Sequence, residues 1–265
     1  MSAARKARLD LLLVERRLAP SRSKAAAMIM AGEVTVGRRL VDKPGTAVAL
    51  DAAIELKEKP RYVSRGGLKL EAALNAFAVD AAGKVCADIG ASTGGFTDCL
   101  LQRGAAKVYA IDVGRAQLDY RLRQDKRVVI HENTNARYLE ALGEPADIVA
   151  IDVSFISLRL ILPAVARITS EPADVIALVK PQFEAGRASV GKGGVVRDAA
   201  VHRRVLNDVA AWAISHGFAP VDVIRSPITG AKGNVEFLMW MRNRANAGAP
   251  PRIQQRIDKL TTPNP

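Results

Sequence analysis

The apolar positions fall into two regimes along the chain. Over the first sixty residues they are short and broken. Leu9, Leu12 and Leu13 recur at helical spacing, with Arg16 and Arg17 on the other face. Ala19-Pro20 interrupts, Ser21 or Ser23 can cap a second helix over Lys24–Ala31, and Gly32 ends it. Val34–Val36, a turn at Gly37 and Leu40-Val41 read as short strands, and Val48–Leu56 as one further alternating strand. From residue 68 the pattern changes. Leu68–Ala78 predicts a helix whose buried face is Leu70, Ala73, Leu74 and Phe77. Strands are expected at Val85–Asp88, Val108–Asp112, Val128–His131, Ile148–Asp152, Val175–Val179, Val221–Ser226 and Val235–Met241, with helical stretches between most of them. That alternation predicts an α/β fold, a mostly parallel sheet covered on both faces, with the last two strands as an antiparallel edge hairpin. Past Ala245 the chain is rich in Pro, Asn and Ala, so a fraying tail is expected over 245–265, with a short helix near Ile253–Leu260.

One turn carries more information than any strand. Asp88-Ile-Gly-Ala-Ser-Thr-Gly-Gly-Phe96 joins the first sheet strand to a helix. Gly90, Gly94 and Gly95 allow a tight bend and close approach of a ligand to the backbone. No Gly-Lys-Ser/Thr follows, and the glycine spacing is not Gly-x-Gly-x-x-Gly, so a phosphate loop and a nicotinamide fingerprint are both disfavoured. Asp88 before the glycines and Asp112 at the end of the next strand, where ribose hydroxyls are gripped, suggest S-adenosylmethionine. Ser92 and Phe96 lie in the same turn, Phe96 and Phe183 serving either the pocket or, more simply, the core. Asn135, after the third strand, sits where an adenine would be read.

Composition narrows the partners. The 265 residues carry a net charge of +12, which points to a polyanion, to an anionic membrane surface, or to solubility alone. No apolar run is long enough to span a bilayer, and the N-terminus lacks the apolar core of a signal peptide. No membrane association is therefore expected, and a cytoplasmic location is. Cys86 and Cys99 are not a Cys-x-x-Cys pair and read as buried thiols; the 3 histidines lack metal-ligand spacing, so no metal is expected.

Four polar residues stand near strand ends or on the helix entering the sheet: Lys69, Asp152, Lys180 and Glu236. Singly each reads as a rim residue. Together they resemble the Lys-Asp-Lys-Glu set of the FtsJ-like ribose 2′-O-methyltransferases. The first fifty residues resemble an S4 RNA-binding domain at Arg8–Leu18, Ser21–Ala25 and Gly32–Val36. With both parts, the chain to about Arg242 resembles the TlyA family. The likeness is carried by Val63–Lys69, Asp88–Thr97, Asp152–Leu158, Leu178–Glu184 and Gly233–Phe237. The junction has Tyr62 where that family is expected to carry Trp.

The resemblance implies a Rossmann-like class I methyltransferase sheet behind a small α+β S4-like domain. Its boundaries would be 1–59 for the S4-like domain, 60–67 for a linker, 68–244 for the methyltransferase domain and 245–265 for a flexible tail. It implies S-adenosylmethionine as cofactor and ribosomal RNA in ribosomal subunits as partner, with a cytidine ribose as target. Lys180 would face the hydroxyl, Lys69 would orient the ribose, each lysine lowering the other's basicity, and Asp152 and Glu236 would hold the ammonium groups. Asp88, Gly90, Ser92, Gly94, Gly95, Phe96, Asp112, Asn135 and Asp152 would bind the cofactor. Arg5, Arg8, Arg16, Arg17, Ser21, Arg22, Lys24, Arg61, Tyr62 and Arg65 would meet RNA. The glycine-rich basic segment 185–195 would be either a lid, with Arg187 and Lys192 on phosphate, or a plain connector. A haemolysin-like membrane-active protein and a non-catalytic assembly factor are the competing readings.

Overall fold

The computed structural model describes residues 5–57, 60–243 and 252–262. It forms two compact units, residues 1–60 and 61–265. The junction residues 58 and 59 and the tail residues 245–251 and 263–265, on which some expectations fall, lie outside the described residues.

In the first unit the order is β1 (Lys6–Arg8), α1 (Leu9–Glu15), α2 (Arg22–Met30), β2 (Val34–Val36), β3 (Arg39–Leu40), β4 (Ala47–Ala49) and β5 (Ile54–Leu56). Leu9, Leu12 and Leu13 of α1 pack on Ala25 and Ile29 of α2 and on Val34 in one small core. Ser21 is the cap of α2, its hydroxyl accepting the Lys24 N–H at 3.2 Å. Gly37 and Arg38 both have positive φ, which is what a two-residue hairpin turn between β2 and β3 requires. The single strand expected over Val48–Leu56 is two strands: β4 pairs with β1, β5 with β2, and the chain changes sheets at Leu50-Asp51. Alternation reports a half-buried surface, not which partner strand lies beside it. Asp10 is buried between two guanidinium groups, Arg8 at 2.9 and 3.0 Å and Arg22 at 2.9 Å. Hydrogen bonding to Arg8 first, and then to Arg22, holds its carboxyl well below the usual carboxylate range against the cost of burial.

The second unit runs α3 (Gly66–Phe77), β6 (Val85–Ile89), α4 (Gly95–Gln102), β7 (Lys107–Ile111), α5 (Tyr120–Arg123), β8 (Val128–His131), β9 (Ala146–Ile151), α6 (Leu162–Ile168), β10 (Thr169–Val179), α7 (Pro181–Glu184), α8 (Ala199–Ser215), β11 (Phe218–Arg225), β12 (Phe237–Asn243) and α9 (Arg252–Thr261). Seven strands form one sheet in the order β11-β12-β10-β9-β6-β7-β8. The five from β10 to β8 are parallel; β12 runs antiparallel between β10 and β11, so only β11 is at that edge. This is the mostly parallel α/β sheet the pattern predicted. Successive residues of each strand face opposite layers. Ile148, Ala150, Ile176 and Leu178 face α3 and α4, while Val149, Ile151, Val175 and Ala177 face α6, α8 and α9.

Two boundaries differ from expectation. Residues 61–67 are not a free linker: Tyr62 is 3% exposed in the core with α3 and α4, and the Val63 N–H donates to Asp98 at 2.8 Å. Nor is the tail loose throughout. Its expected short helix is α9, and Ile253 and Ile257 are buried in the core beside α8. Helical spacing gave the helix, whereas the apolar surface that receives it is made by β11 and α8, which no local pattern displays.

The sheet order reverses between β6 and β9, one branch continuing to β7 and β8 and the other to β10 and β12. Ligands of such sheets bind outside the carboxyl ends of the strands at this switch point.

Candidate active site

The switch point is where the glycine turn lies. Gly90 follows β6 with φ +86°, Ser92 has φ +50°, and Gly94, with φ +96°, starts α4. A Cβ on Gly90 would fall 2.9 Å from the Asp152 carbonyl carbon and closer still to its oxygen, so the loop after β9 lies directly on this backbone. Asp112, just past β7, accepts the Ser92 N–H and the Gly114 N–H at 2.7 Å each, one on each carboxylate oxygen. Asn135 turns its amide oxygen to the Arg137 N–H at 3.1 Å and lines the same cavity as Asp112. That cavity, of about 440 Å³, is bordered by Gly90, Ser92, Asp112, Gln117, Asn135 and Asp152.

A second cavity of about 510 Å³ shares Gly90, Ser92, Asp152, Ser154 and Phe155 with the first. Into it come Lys69 from α3, Lys180 after β10, Asp152 after β9 and Glu236 just before β12. They form two ion pairs, Lys69 Nζ to Glu236 Oε2 at 2.5 Å and Lys180 Nζ to Asp152 Oδ1 at 2.7 Å. Each lysine therefore engages one of the two carboxylates expected to hold the ammonium groups. Lys180 also donates to Ser154 Oγ at 2.8 Å. Breaking buried pairs of this kind costs several kcal/mol, because the remaining charge is stranded.

Asp88 is fully buried at the floor of this cavity. Its Oδ2 accepts from the Thr97 N–H at 2.8 Å and the Thr97 hydroxyl at 2.7 Å, while Oδ1 has no partner. Burial pushes its carboxyl up to about 7; the Thr97 bonds oppose this, and the Asp152 and Asp112 charges reinforce it. An unfolded Asp titrates near ~4, so between there and pH 7 the folded chain holds a proton the unfolded one has lost. Stability therefore falls as pH rises through this window and levels off above it, by up to about 4 kcal/mol for a shift of about three units. Asp88→Asn should flatten that slope in urea titrations at pH 4.5, 6 and 7.5. A slope equal to the wild type's would place the proton elsewhere.

Several contributors were not legible in the sequence. Glu184 accepts the Ser157 hydroxyl at 2.6 Å and the Leu158 N–H at 2.7 Å, tying the loop that carries Asp152 to the helix that follows Lys180. Gly230 leaves room for Glu236: a Cβ there would collide with its Oε1. Phe155 is 90% exposed at the mouth shared by both cavities, with its ring 5.0 Å from that of Phe183. Only φ +65° at Phe155 marks the position as unusual, and sequence cannot show it. Phe96, by contrast, is 3% exposed, packed in the core with α3 and α4 while still bordering the larger cavity. Asn234, also buried, accepts the Val196 N–H at 3.0 Å and donates to the Gly194 carbonyl at 2.9 Å, anchoring the far end of segment 185–195.

The proposed RNA contacts divide. Arg5, Arg17 and Lys24 are exposed on the first unit. Arg8 and Arg22 serve Asp10, and Arg16 donates to the carbonyls of Ala52, at 2.7 Å, and Leu50. Arg61 pairs with Glu71 at 2.5 Å, and Arg65 borders the larger cavity of this site. Tyr62 is a correction. A Cβ on Gly67 would lie 2.5 Å from its Cδ2 and 2.6 Å from its Cβ, so the ring is packed on α3 and presents no stacking face to RNA. Both cysteines are buried, and burial pushes the Cys86 thiol up to about 12. Among the described residues no cluster of His, Cys, Asp and Glu has the makings of a metal site.

Comparison with known proteins gives the same two parts. The family of FtsJ-like methyltransferases matches residues 62–243, and the S4 domain matches residues 7–54. The candidate rRNA methyltransferase YqxC of Bacillus subtilis is 52% identical over 90% of this chain and 86% of its own. The 16S/23S rRNA (cytidine-2′-O)-methyltransferase TlyA of Mycobacterium tuberculosis is 49% identical over 92% of each chain. A solved structure described as a candidate hemolysin from Streptococcus thermophilus superposes with a TM-score of 0.73 at 44% identity, covering 97% of this chain and 96% of the other.

Proposed function

This chain belongs to the FtsJ-like methyltransferase family and carries an S4 domain, and from that premise we propose that it methylates a cytidine ribose 2′-oxygen of ribosomal RNA at the expense of S-adenosylmethionine. The observation that carries the reading is the meeting of two Lys–carboxylate pairs in one cavity beside the glycine turn. From that substrate we infer a cytoplasmic location. Among the described residues no helix is long and apolar enough to cross a membrane.

The residues fit the cofactor. Asp88 offers an unpartnered carboxylate oxygen, suited to an ammonium group. Each oxygen of Asp112 keeps a free lone pair beyond its backbone bond, suited to a ribose diol. Asn135 and Ile111 border the same cavity, where a purine would lie between polar edge and apolar wall. When bound, S-adenosylmethionine supplies an electrophilic methyl group on a sulfonium.

The chain's own residues then do the rest. Lys180, its Nζ oriented by Asp152 and Ser154, faces the 2′-hydroxyl and is the group assigned to accept its proton as the methyl is transferred. Lys69, locked to Glu236, points its remaining N–H groups at the ribose and fixes the line of attack. Glu184 and Ser154 keep Asp152 and Lys180 in register. The exposed Arg5, Arg17 and Lys24 supply phosphate contacts from the S4 domain.

Incubation with labelled S-adenosylmethionine and each isolated ribosomal subunit, followed by digestion to nucleosides, tests this directly. The expected product is 2′-O-methylcytidine in RNA. Label appearing only on a base, or only in protein, would sink the assignment.

A further inference from the structure

The net charge is not confined to the S4 domain. Residues 1–60 hold 12 Lys and Arg against 7 Asp and Glu, whereas residues 61–265 hold 27 against 20. The larger share of the net +12 therefore belongs to the second unit, and part of it surrounds one groove. This cavity, of about 720 Å³, is larger than either cavity of the active site and shares no residue with them. It is bordered by Asp222, Trp240, Arg252, Gln255, Arg256 and Lys259.

Its basic wall is one face of α9. Ile253, Ile257 and Leu260 of that helix pack in the core on the α8 side. Arg252, Gln255, Arg256 and Lys259 recur at i, i+3, i+4 and i+7, a second stripe on the flank of the first. Arg256 is bidentate to Asp222 of the edge strand β11, at 2.8 and 3.2 Å, which holds this flank along the strand. Arg252 and Lys259, at the two ends of the stripe, are exposed. The opposite wall is Trp240, which stands across from Asp222 in the β11–β12 register. Its indole is fixed on three sides: stacked on Phe77 at 5.7 Å, donating Nε1–H to Asp174 at 2.8 Å, and 4.9 Å from the Arg242 guanidinium.

We propose that this groove is a second RNA-docking surface, holding phosphodiester backbone away from the target nucleotide. The proposal rests on the reading of RNA as substrate. A straight row of cations about 10 Å long suits a linear polyanion. A lipid surface would need an outward apolar face on α9, and that face is already spent in the core. The rigid indole edge gives the neighbouring base or sugar a surface to rest on.

The test uses the full chain with Arg252→Glu and Lys259→Glu together, leaving Arg256 on Asp222. A Trp212→Phe background makes Trp240 the sole tryptophan of the 2 in the chain, so its emission reports the groove. An rRNA fragment that the wild type methylates is titrated over a range of salt. The variant should bind about tenfold more weakly, and its plot of log affinity against log salt should be shallower by about 1.5. The RNA-induced change in Trp240 emission should disappear, with S-adenosylmethionine affinity unchanged. Arg252→Ala with Lys259→Ala, a milder pair, should show the same slope change if the reversed variant misfolds. Wild-type affinity and slope in a folded variant would overturn the proposal, as would a Trp240 response to phosphatidylglycerol vesicles and none to RNA. If the wild type itself neither binds nor methylates RNA, the enzyme reading falls as well; the groove alone falls when the wild type methylates and the variant titrates like it.

Discussion

Lys180→Ala should lower single-turnover methyl transfer by about 10²- to 10⁴-fold, the range for losing a positioned general base, while S-adenosylmethionine still binds. The separation follows from where the side chain ends. Nζ meets Asp152 and Ser154 in the larger active-site cavity, and Lys180 does not border the cavity of Asp112 and Asn135. Lys180→Arg should not rescue. A planar guanidinium cannot give up its proton to serve as a base, and its fork does not fit the site of a compact ammonium between a carboxylate and a hydroxyl. Asp152→Ala should also impair transfer strongly, and the double variant should be little worse than Lys180→Ala, because the two act as one unit. Calorimetric titration of the cofactor beside a rapid-quench assay on the modified subunit distinguishes the outcomes. Near-normal turnover in Lys180→Ala would move the base to another residue. Loss of cofactor binding together with transfer would recast Lys180 as a binding residue.

The legible parts of this site are those whose chemistry is local. The glycine turn, Asp88 and Asp112 lie within one strand–turn–helix and the strand after it, where backbone geometry alone demands those residue types. The sheet strands were visible because burial on both faces leaves apolar runs bounded by turn residues. What stayed hidden depends on distant partners. Lys69 and Glu236 meet from 167 positions apart, and only a family resemblance set them side by side. Glu184 looked like any acid at a short helix, and Gly230 like any loop glycine, until the loop after β9 and the Glu236 side chain were in place beside them. The partners of the arginines were hidden for the same reason. A sequence counts their charge but does not say that Arg16 is spent on the carbonyls of Leu50 and Ala52, or Arg8 and Arg22 on Asp10. Tyr62 shows the converse error. The family resemblance puts it among the RNA contacts, yet the absent side chain of Gly67 opens a slot in α3 that the ring fills.

Gly90→Ala should damage cofactor binding and catalysis together, although Gly90 has no side chain to contribute to either. Two costs arise from one methyl group. At φ +86° an L-residue pays roughly 1–2 kcal/mol of backbone strain. The new Cβ would also sit 2.9 Å from the Asp152 carbonyl carbon and 3.3 Å from the Val153 nitrogen, inside contact distance for backbone atoms that cannot rotate away. The Asp152 N–H is bonded to the Ile89 carbonyl at 2.9 Å, so the two strand ends must part for the methyl to fit. Parting them carries Asp152 away from Lys180 and opens the wall common to both cavities. Affinity for S-adenosylmethionine should fall by about 100-fold or more, about 2.7 kcal/mol, and turnover at saturating cofactor should fall as well. Gly83→Ala is the control that separates strain from collision. Its φ is +70°, yet nothing lies within 4 Å of its would-be Cβ. It should cost about 1–2 kcal/mol in thermal unfolding and leave cofactor affinity and turnover as they are. Equal behaviour of the two variants would mean that backbone strain alone, and not the contact between the glycine turn and the Asp152 loop, governs the site.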